Sequence, residues 1–455
     1  MNGKNEDRAR ARRCLQMALE AGAQKARVSL NCNVMDLVAT LDGAVDRITH
    51  CFDRSLSLAL FADGRYGVFS TNKIDDETQL RAFVQQSLAL VRMLEAEPLR
   101  DLPDPARTAK DAREGDEAGL FDPAYGTVGP EQRKGFALFA SPWGAAAPDG
   151  SWRLISEEGE YSDSLYEQYI VDSQGLECLH RETAFEYGIE VTIQDSRGDR
   201  YSGYWWDSAA ALRDFDPSYC GRKAVQEAAA AIGPRRLKSG RYCAVIDREA
   251  ASRLVSPILK ALGGYAIQQD NSFLRDALDK QVFPAGMTLR DCPRSIGQTG
   301  ARFFDSEGVA TRDRDIVREG TVRTFFLNSF MAAKTGLAPT TEEPVRPVLE
   351  PFWSAASPQP KHIGRDELMR LCGDGILVTG FNGGNSNSAT GDFSYGVEGF
   401  RFKDGKILHP VNEMVMTGNF LPLWAGLLGA GTDARACQQK SIGSLAFEGV
   451  DFSGT

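Results

Sequence analysis

From Gly263-Gly264 to its end the chain is rich in glycine and in short strand-like runs, and this half limits the fold most tightly. Asn382-Gly383 and Asp404-Gly405 are dipeptides of two-residue hairpin turns, which need positive φ at their central positions. The half is entered through a strand, Arg241 to Ile246, and a helix, Arg248 to Leu262, that the Gly-Gly pair stops. Together these predict a C-terminal β-rich domain over residues 236–455, barrel or sandwich-like, with no short repeat of solenoid type.

The first 96 residues read as a separate α+β module. Ala11, Leu15, Ala18 and Leu19 recur at helical spacing between Asp7 and Ala21, and Gly22 sits where a C-cap belongs. Strand-like runs follow at Ala26–Leu30, Leu37–Leu41 and Ser55–Phe61, the last with Leu56, Leu58 and Leu60 in strict alternation. Asp63-Gly64 then turns the chain into Tyr66–Ser70, and an amphipathic stretch, Glu77–Leu94, closes a sheet with covering helices. Residues 97–235 form a connecting region. It begins with a Pro-rich acidic segment to about residue 130 and continues with strands at Tyr169–Asp172, Glu186–Gln194 and Tyr201–Trp206. A helix, Tyr219–Ile232, ends it at Gly233-Pro234. The fold class is α+β. The aromatic cluster Tyr201, Tyr204, Trp205 and Trp206 reads as core or sheet-face packing, with a binding platform as the alternative.

Composition narrows the function. A net charge of -10 opposes a phosphate-backbone partner, since such affinity is driven by Lys and Arg neutralising phosphates. The Arg8 to Arg13 run reads as the solvated face of the first helix, so no direct nucleic-acid contact is expected. No run reaches membrane-span length, and the opening MNGKNEDRARARRCLQ has no apolar core of signal-peptide length, which places the chain in the cytoplasm without a membrane partner. Nine scattered cysteines, with no CxxC, read as reduced thiols.

A helical zinc peptidase needs two imidazoles about a turn apart and a nearby glutamate. The only histidines are His50, His180, His362 and His409, no two of which fall within a turn. A long-range site built from His409, Cys437 and a carboxylate stays open, but scattered His and Cys are usually structural. No G-x-S-x-G elbow is present, and the loop at Gly380-Phe-Asn-Gly-Gly-Asn lacks the ending of a phosphate cradle.

Several blocks in the second half carry a family resemblance. They are Asn271-Ser-Phe-Leu, Phe304-Asp-Ser-Glu-Gly-Val-Ala-Thr with Ile316-Val-Arg-Glu-Gly-Thr-Val, Gly383 to Gly405, Pro410-Val-Asn-Glu and Thr417-Gly-Asn-Phe-Leu. In order and spacing they resemble the TldD/PmbA ("modulator of DNA gyrase") family, and Asp63-Gly64-Arg65-Tyr66-Gly67 is similar to its first domain. The resemblance implies an N-terminal α/β domain, a connecting region, a C-terminal β-rich domain and a two-subunit complex around an internal chamber. In such a complex the TldD-type subunit holds zinc through HExxxH and a later cysteine, and the PmbA (TldE) type lacks those ligands. Aligned on that motif, this chain has Val255 and Lys260 at the histidine positions and Ser256 at the glutamate position. The resemblance is therefore to the PmbA type.

It follows as an expectation that the chain has no catalytic residue and no metal ligand of its own. Zinc belongs to an HExxxH-bearing partner in a heterodimer, and a homodimer is possible when the chain is purified alone. Asn271, Ser272 and Phe273, with Asn382, Gly383, Gly384, Asn385, Gly391, Asp392 and Phe393, are the candidate lining for an unstructured peptide. Asn, Ser and Gly offer donors, acceptors and close backbone approach, although the same residues also make ordinary turns. Two other readings are a self-sufficient homo-oligomeric peptidase with an unconventional metal site, and a regulator that binds gyrase or a toxin.

Overall fold

The computed structural model describes residues 2–354 and 362–454, with side chains from Glu6 onward. Its first half is built on one antiparallel sheet. Strands β1 (Lys25–Leu41), β2 (Ala44–Ala62), β3 (Arg65–Thr71), β4 (Trp152–Asp172), β5 (Glu177–Asp195) and β6 (Arg200–Ala209) lie in the order β3-β2-β1-β4-β5-β6. Three strands thus come from each side of residue 96, and β1 pairs with β4 from Arg27↔Asp172 to Leu41↔Glu158.

Four helices cover one face of this sheet: α1 (Asn2–Glu20), α2 (Glu77–Val91), α3 (Pro130–Phe139) and α4 (Cys220–Ala230). Under α1 and α2 lie Val28, Leu30, Leu56, Leu58, Leu60 and Val171. Under α3 and α4 lie Val38, Tyr161, Phe185, Ile189 and Val191. The stripe of α1 that packs is Ala11, Cys14, Met17 and Ala18, whereas Leu19 of the expected stripe is 40% exposed. Gly22, at φ +100°, ends that helix as expected, because a left-handed C-cap suits a residue without Cβ.

The strands are longer than the sequence runs suggest. Ala26–Leu30 and Leu37–Leu41 are two ends of one strand, bridged by the polar segment Asn31 to Asp36, which pairs on both sides with β2 and β4. Backbone pairing on two edges holds a segment extended whatever its side chains prefer.

The second half contains a closed barrel. Strands β7 (Gly240–Ile246), β13 (Asp374–Ser386), β14 (Asp392–Lys403), β15 (Lys406–Asn419) and β17 (Leu445–Ser453) pair in the ring β7-β13-β14-β15-β17, and β17 pairs back onto β7. Six short strands complete the described set: β8 (Leu289–Asp291), β9 (Arg314–Arg318), β10 (Thr321–Val322), β11 (Pro347–Leu349), β12 (Phe352–Trp353) and β16 (Leu427–Ala430), the last two paired at the barrel's side. Helices α5 (Arg248–Ala261), α6 (Gly264–Gln268), α7 (Ser329–Thr335), α8 (Arg365–Cys372) and α9 (Phe420–Ala425) are set among them.

Asp404-Gly405 makes the β14–β15 hairpin turn, with φ of 51° and 70°. Asn382-Gly383 does not make a turn. It lies inside β13, where the ladder slips between Phe381 and Gly384, and the β13–β14 connection comes later, around Asn387 to Gly391. The reason is steric: a Cβ on Gly384, at φ +100°, would come within 1.9 Å of the Ser394 carbonyl oxygen, so the glycines mark a bulge at close strand approach.

Candidate functional site

Helix α5 stands at the junction of the barrel and the sheet. Asp247 caps it by accepting from Glu249 N–H (3.0 Å), and its own N–H donates to the Val378 carbonyl of β13 (2.8 Å), which ties the helix start to the barrel rim. Ala250, Ala251, Leu254, Val255, Ile258 and Leu259 are buried, leaving Glu249, Ser252, Arg253, Ser256 and Lys260 toward the open side. Pro257 has no N–H, so the Arg253 carbonyl lacks its usual helical donor, and Ser256 Oγ donates to Ser252 O (2.8 Å) beside it. Gly264 then packs against Phe326 and Met331, where a Cβ would meet backbone and side chain at 2.8–3.0 Å; the Gly-Gly pair redirects the chain into α6.

The open face of α5 looks into a cavity of about 530 Å³ lined by Glu249, Ser252, Cys437 and Lys440 from the barrel side and Glu182, Glu186 and Trp206 from the sheet. Arg435 locks the two sides together. It is 8% exposed and donates to Glu249 Oε2 (3.1 Å), to Asp207 Oδ1 (3.1 Å) and to the Trp206 carbonyl (2.6 Å). Its guanidinium also lies over the rings of Trp205 and Trp206, at 5.0 and 4.8 Å. Tyr219 OH donates to the other oxygen of Asp207 (2.5 Å). Burial raises the Glu249 carboxyl above its ordinary range, with Arg435 opposing.

The groups on this face do not suit zinc. Val255 is in the core, and Ser256 Oγ accepts from the Lys440 ammonium (3.1 Å) while Lys260 adds a second cation on the exposed side. Burial pushes the Cys437 thiol up to about 11, away from the thiolate that a metal requires, and Glu249 is engaged by Arg435. Among the described residues no three His, Cys, Asp or Glu side chains are grouped to hold a metal ion, so His409, Cys437 and a carboxylate do not form one. His50 meets Asp36 (2.9 Å), the buried His180 meets Glu182 (3.2 Å), and His409 Nδ1 lies 3.0 Å from the Pro410 carbonyl oxygen.

Two parts of the expected peptide lining meet, the 271–273 loop and the tip of the β13–β14 ribbon at Gly391 to Phe393, while Asn382 to Asn385 lie further back along β13. Phe273 N–H donates to the Ser388 carbonyl (3.1 Å), so the 271–273 loop docks on the tip of the β13–β14 ribbon, and a Cβ on Gly391 would sit 3.1 Å from the Phe273 ring. Phe273 stacks on Phe420 (5.7 Å), Phe420 on Phe393 (4.8 Å) and Phe393 on Tyr395 (5.4 Å), over which the Arg253 guanidinium of α5 lies at 5.3 Å. The members differ in what they offer. Ser272 is buried, donates to Ala261 O (2.6 Å) and accepts from Leu274 N–H (3.0 Å), so its hydroxyl is a turn element; Phe393 is likewise packed inside. Asp392 accepts from Thr390 Oγ1 (2.7 Å) and Asn419 Nδ2 (2.8 Å), bonds that lower its pKa, and it fixes the ribbon tip. Asn271, Asn382, Gly383, Gly384 and Asn385 are exposed.

Beyond Val378, where β7 ends its pairing, the outer edge of β13 from Thr379 to Ser386 meets no strand among the described residues. Sequence reasoning found the residues of this ribbon but not its free edge. It also missed Arg435, Glu249 and Lys440, which lie far apart in the chain and carry no local pattern.

Models of the PmbA/TldA metallopeptidase C-terminal domain and of the PmbA/TldA metallopeptidase central domain match residues 239–454 and 126–232. A crystallised protein of Bacteroides thetaiotaomicron, named as a modulator of DNA gyrase, superposes with a TM-score of 0.92 at 35% identity over 99% of each chain. The chain belongs to the PmbA/TldD family. Metalloprotease PmbA of Escherichia coli O157:H7 is 26% identical to it over 96% of this chain and 94% of its own length. TldE of Thermococcus kodakarensis shares the fold, with a TM-score of 0.80 at 16% identity over 98% of this chain and 100% of that one. Among the described residues, no helix of this family member is long and apolar enough to cross a membrane.

Proposed function

We propose that this chain is the non-catalytic subunit of a cytoplasmic PmbA/TldD-type peptidase complex that acts on unstructured peptides, with zinc carried by an HExxxH-bearing partner. The observation that carries the reading is the open face of α5. Where a zinc peptidase needs imidazoles and a general base to bind the metal and lower the pKa of its water, this face presents hydroxyls and the ammonium of Lys440 on Ser256.

The free edge of β13 supports a peptide-handling role. An extended peptide can add to such an edge through main-chain hydrogen bonds, which accept any sequence. Asn382 and Asn385 stand exposed on that edge, and the Phe273–Phe420–Phe393 stack braces the ribbon from behind. In this reading Asp392 and Ser272 shape the site without touching the peptide.

The test is reconstitution. The purified chain with added zinc should not cleave an unfolded peptide library, and activity should appear on mixing with an HExxxH-bearing family member. Cleavage by the chain alone, abolished by chelation, would overturn the proposal.

A further inference from the structure

The cysteines look solitary in sequence, but the fold brings two of them together. Along β7, Ala244 and Ile246 belong to the barrel's interior core, so Cys243 and Val245 share the outer face. Val245 is buried there in one cluster with Leu368 and Met369 of α8, and Cys372, the last residue of that helix, packs against the same cluster. Gly373, at φ +76°, ends α8 and returns the chain into β13, where Gly375 sits opposite Cys243 in the parallel β7–β13 ladder. This short return sets the two thiols against each other. They are hydrogen-bonded, Cys372 S–H donating to Cys243 Sγ, and both side chains are half-buried.

The bond gives the two sulfurs different characters. It favours the Cys243 thiolate and holds that pKa below the ordinary thiol range, against burial and the nearby Glu448 carboxylate. Cys372, as the donor, is raised by the same bond. Burial alone pushes Cys14, Cys178 and Cys220 up to about 12. An ionisable thiol within reach of a small oxidant, beside a second thiol that can resolve it, is the arrangement of a reversible oxidation site.

We propose that Cys243 and Cys372 form a disulfide when the chain meets a hydroperoxide. The Cys243 thiolate attacks one peroxide oxygen, the O–O bond breaks and hydroxide leaves, which makes Cys243 a sulfenic acid. The Cys372 sulfur then attacks the Cys243 sulfur; the S–S bond forms, the S–O bond breaks, and the Cys372 proton leaves with the departing hydroxide as water. Two electrons pass from the sulfurs to the peroxide, and with hydrogen peroxide the products are the disulfide and two waters. A dithiol reverses the step by thiol exchange. The bond ties the end of α8 and the root of β13 to β7, and the proposal is independent of the peptidase reading.

The test treats the full reduced chain with hydrogen peroxide, alkylates the remaining thiols and digests it without reductant. Mass spectrometry should find the Cys243 and Cys372 peptides linked, and dithiothreitol should separate them. The oxidised chain should melt higher than the reduced one by about 5 °C or more, because the cross-link closes a long loop. Cys372→Ser should abolish that rise and leave Cys243 as a sulfenic acid that dimedone traps, whereas Cys243→Ser should give no dimedone adduct at Cys372. Cysteines 243 and 372 that both stay alkylatable after peroxide overturn the proposal, as does linkage of either one to a different cysteine in place of this pair.

Discussion

Replacing Arg435 with Gln removes the guanidinium that joins α5 to β6. Its side chain is 7% exposed, and the carboxylates it leaves, Glu249 and Asp207, are 21% and 26% exposed. Breaking a buried ion pair by deleting one partner costs about 3–5 kcal/mol, because the other charge stays behind unpaired. Water can reach both carboxylates in part, and Asp207 keeps its bond from Tyr219, so the low end applies: a loss of about 3 kcal/mol. The sign of the pH dependence follows from Glu249. Its pKa is already raised by burial with Arg435 opposing, and without Arg435 it rises further. A carboxyl raised in the folded state contributes stability below its unfolded pKa and loses it as pH rises through the folded one. The defect of Arg435→Gln should therefore be smaller at pH 5 than at pH 8. Equilibrium urea unfolding followed by tryptophan fluorescence measures both quantities, since Trp205 and Trp206 lie against the altered site. A loss under about 1 kcal/mol, or one that does not change with pH, would refute the reasoning.

Two further substitutions probe other parts of the fold. Asp291 is 1% exposed, and burial raises its carboxyl to about 6 against the backbone N–H groups of Val345 and Arg346, both of which bond one oxygen, Oδ1. Its contribution is present below pH ~4 and lost as pH rises through about 6; Asp291→Asn keeps both bonds, and urea midpoints from pH 4 to 8 should flatten relative to wild type. Gly384→Ala places a Cβ 1.9 Å from Ser394 O at φ +100°, and should cost about 1–3 kcal/mol locally, read as faster proteolysis of the ribbon with little change in global melting.

Much of this architecture is legible in the sequence wherever side chains and backbone agree. Leu56, Leu58 and Leu60 alternate and are all buried under helices, Asp404-Gly405 turns as its type requires, and α5 runs from Arg248 to Ala261, one residue short of the expected Leu262 before the Gly-Gly stop. The misses have one physical source. Glu157 to Gln168 is dense in polar residues, yet it sits inside β4 because β1 and β5 hold it from both sides, an arrangement that no local window contains. Asn382-Gly383 carries a turn's composition, but the close approach of β14 uses it as a bulge. At the candidate site the glycine- and asparagine-rich ribbon is visible in sequence. The pairing of Arg435 with Glu249 and Asp207 is not, since its members are separated by more than 180 residues of chain.

The most direct test of the central claim is a metal count on the chain alone, dialysed against zinc and then against buffer, by elemental analysis. The hydroxyl and ammonium face of α5, beside a protonated Cys437 and a Glu249 held by Arg435, predicts far less than one zinc per chain, unchanged by Cys437→Ser. One zinc per chain that survives dialysis and is lost on substituting Cys437 or Glu249 would contradict it.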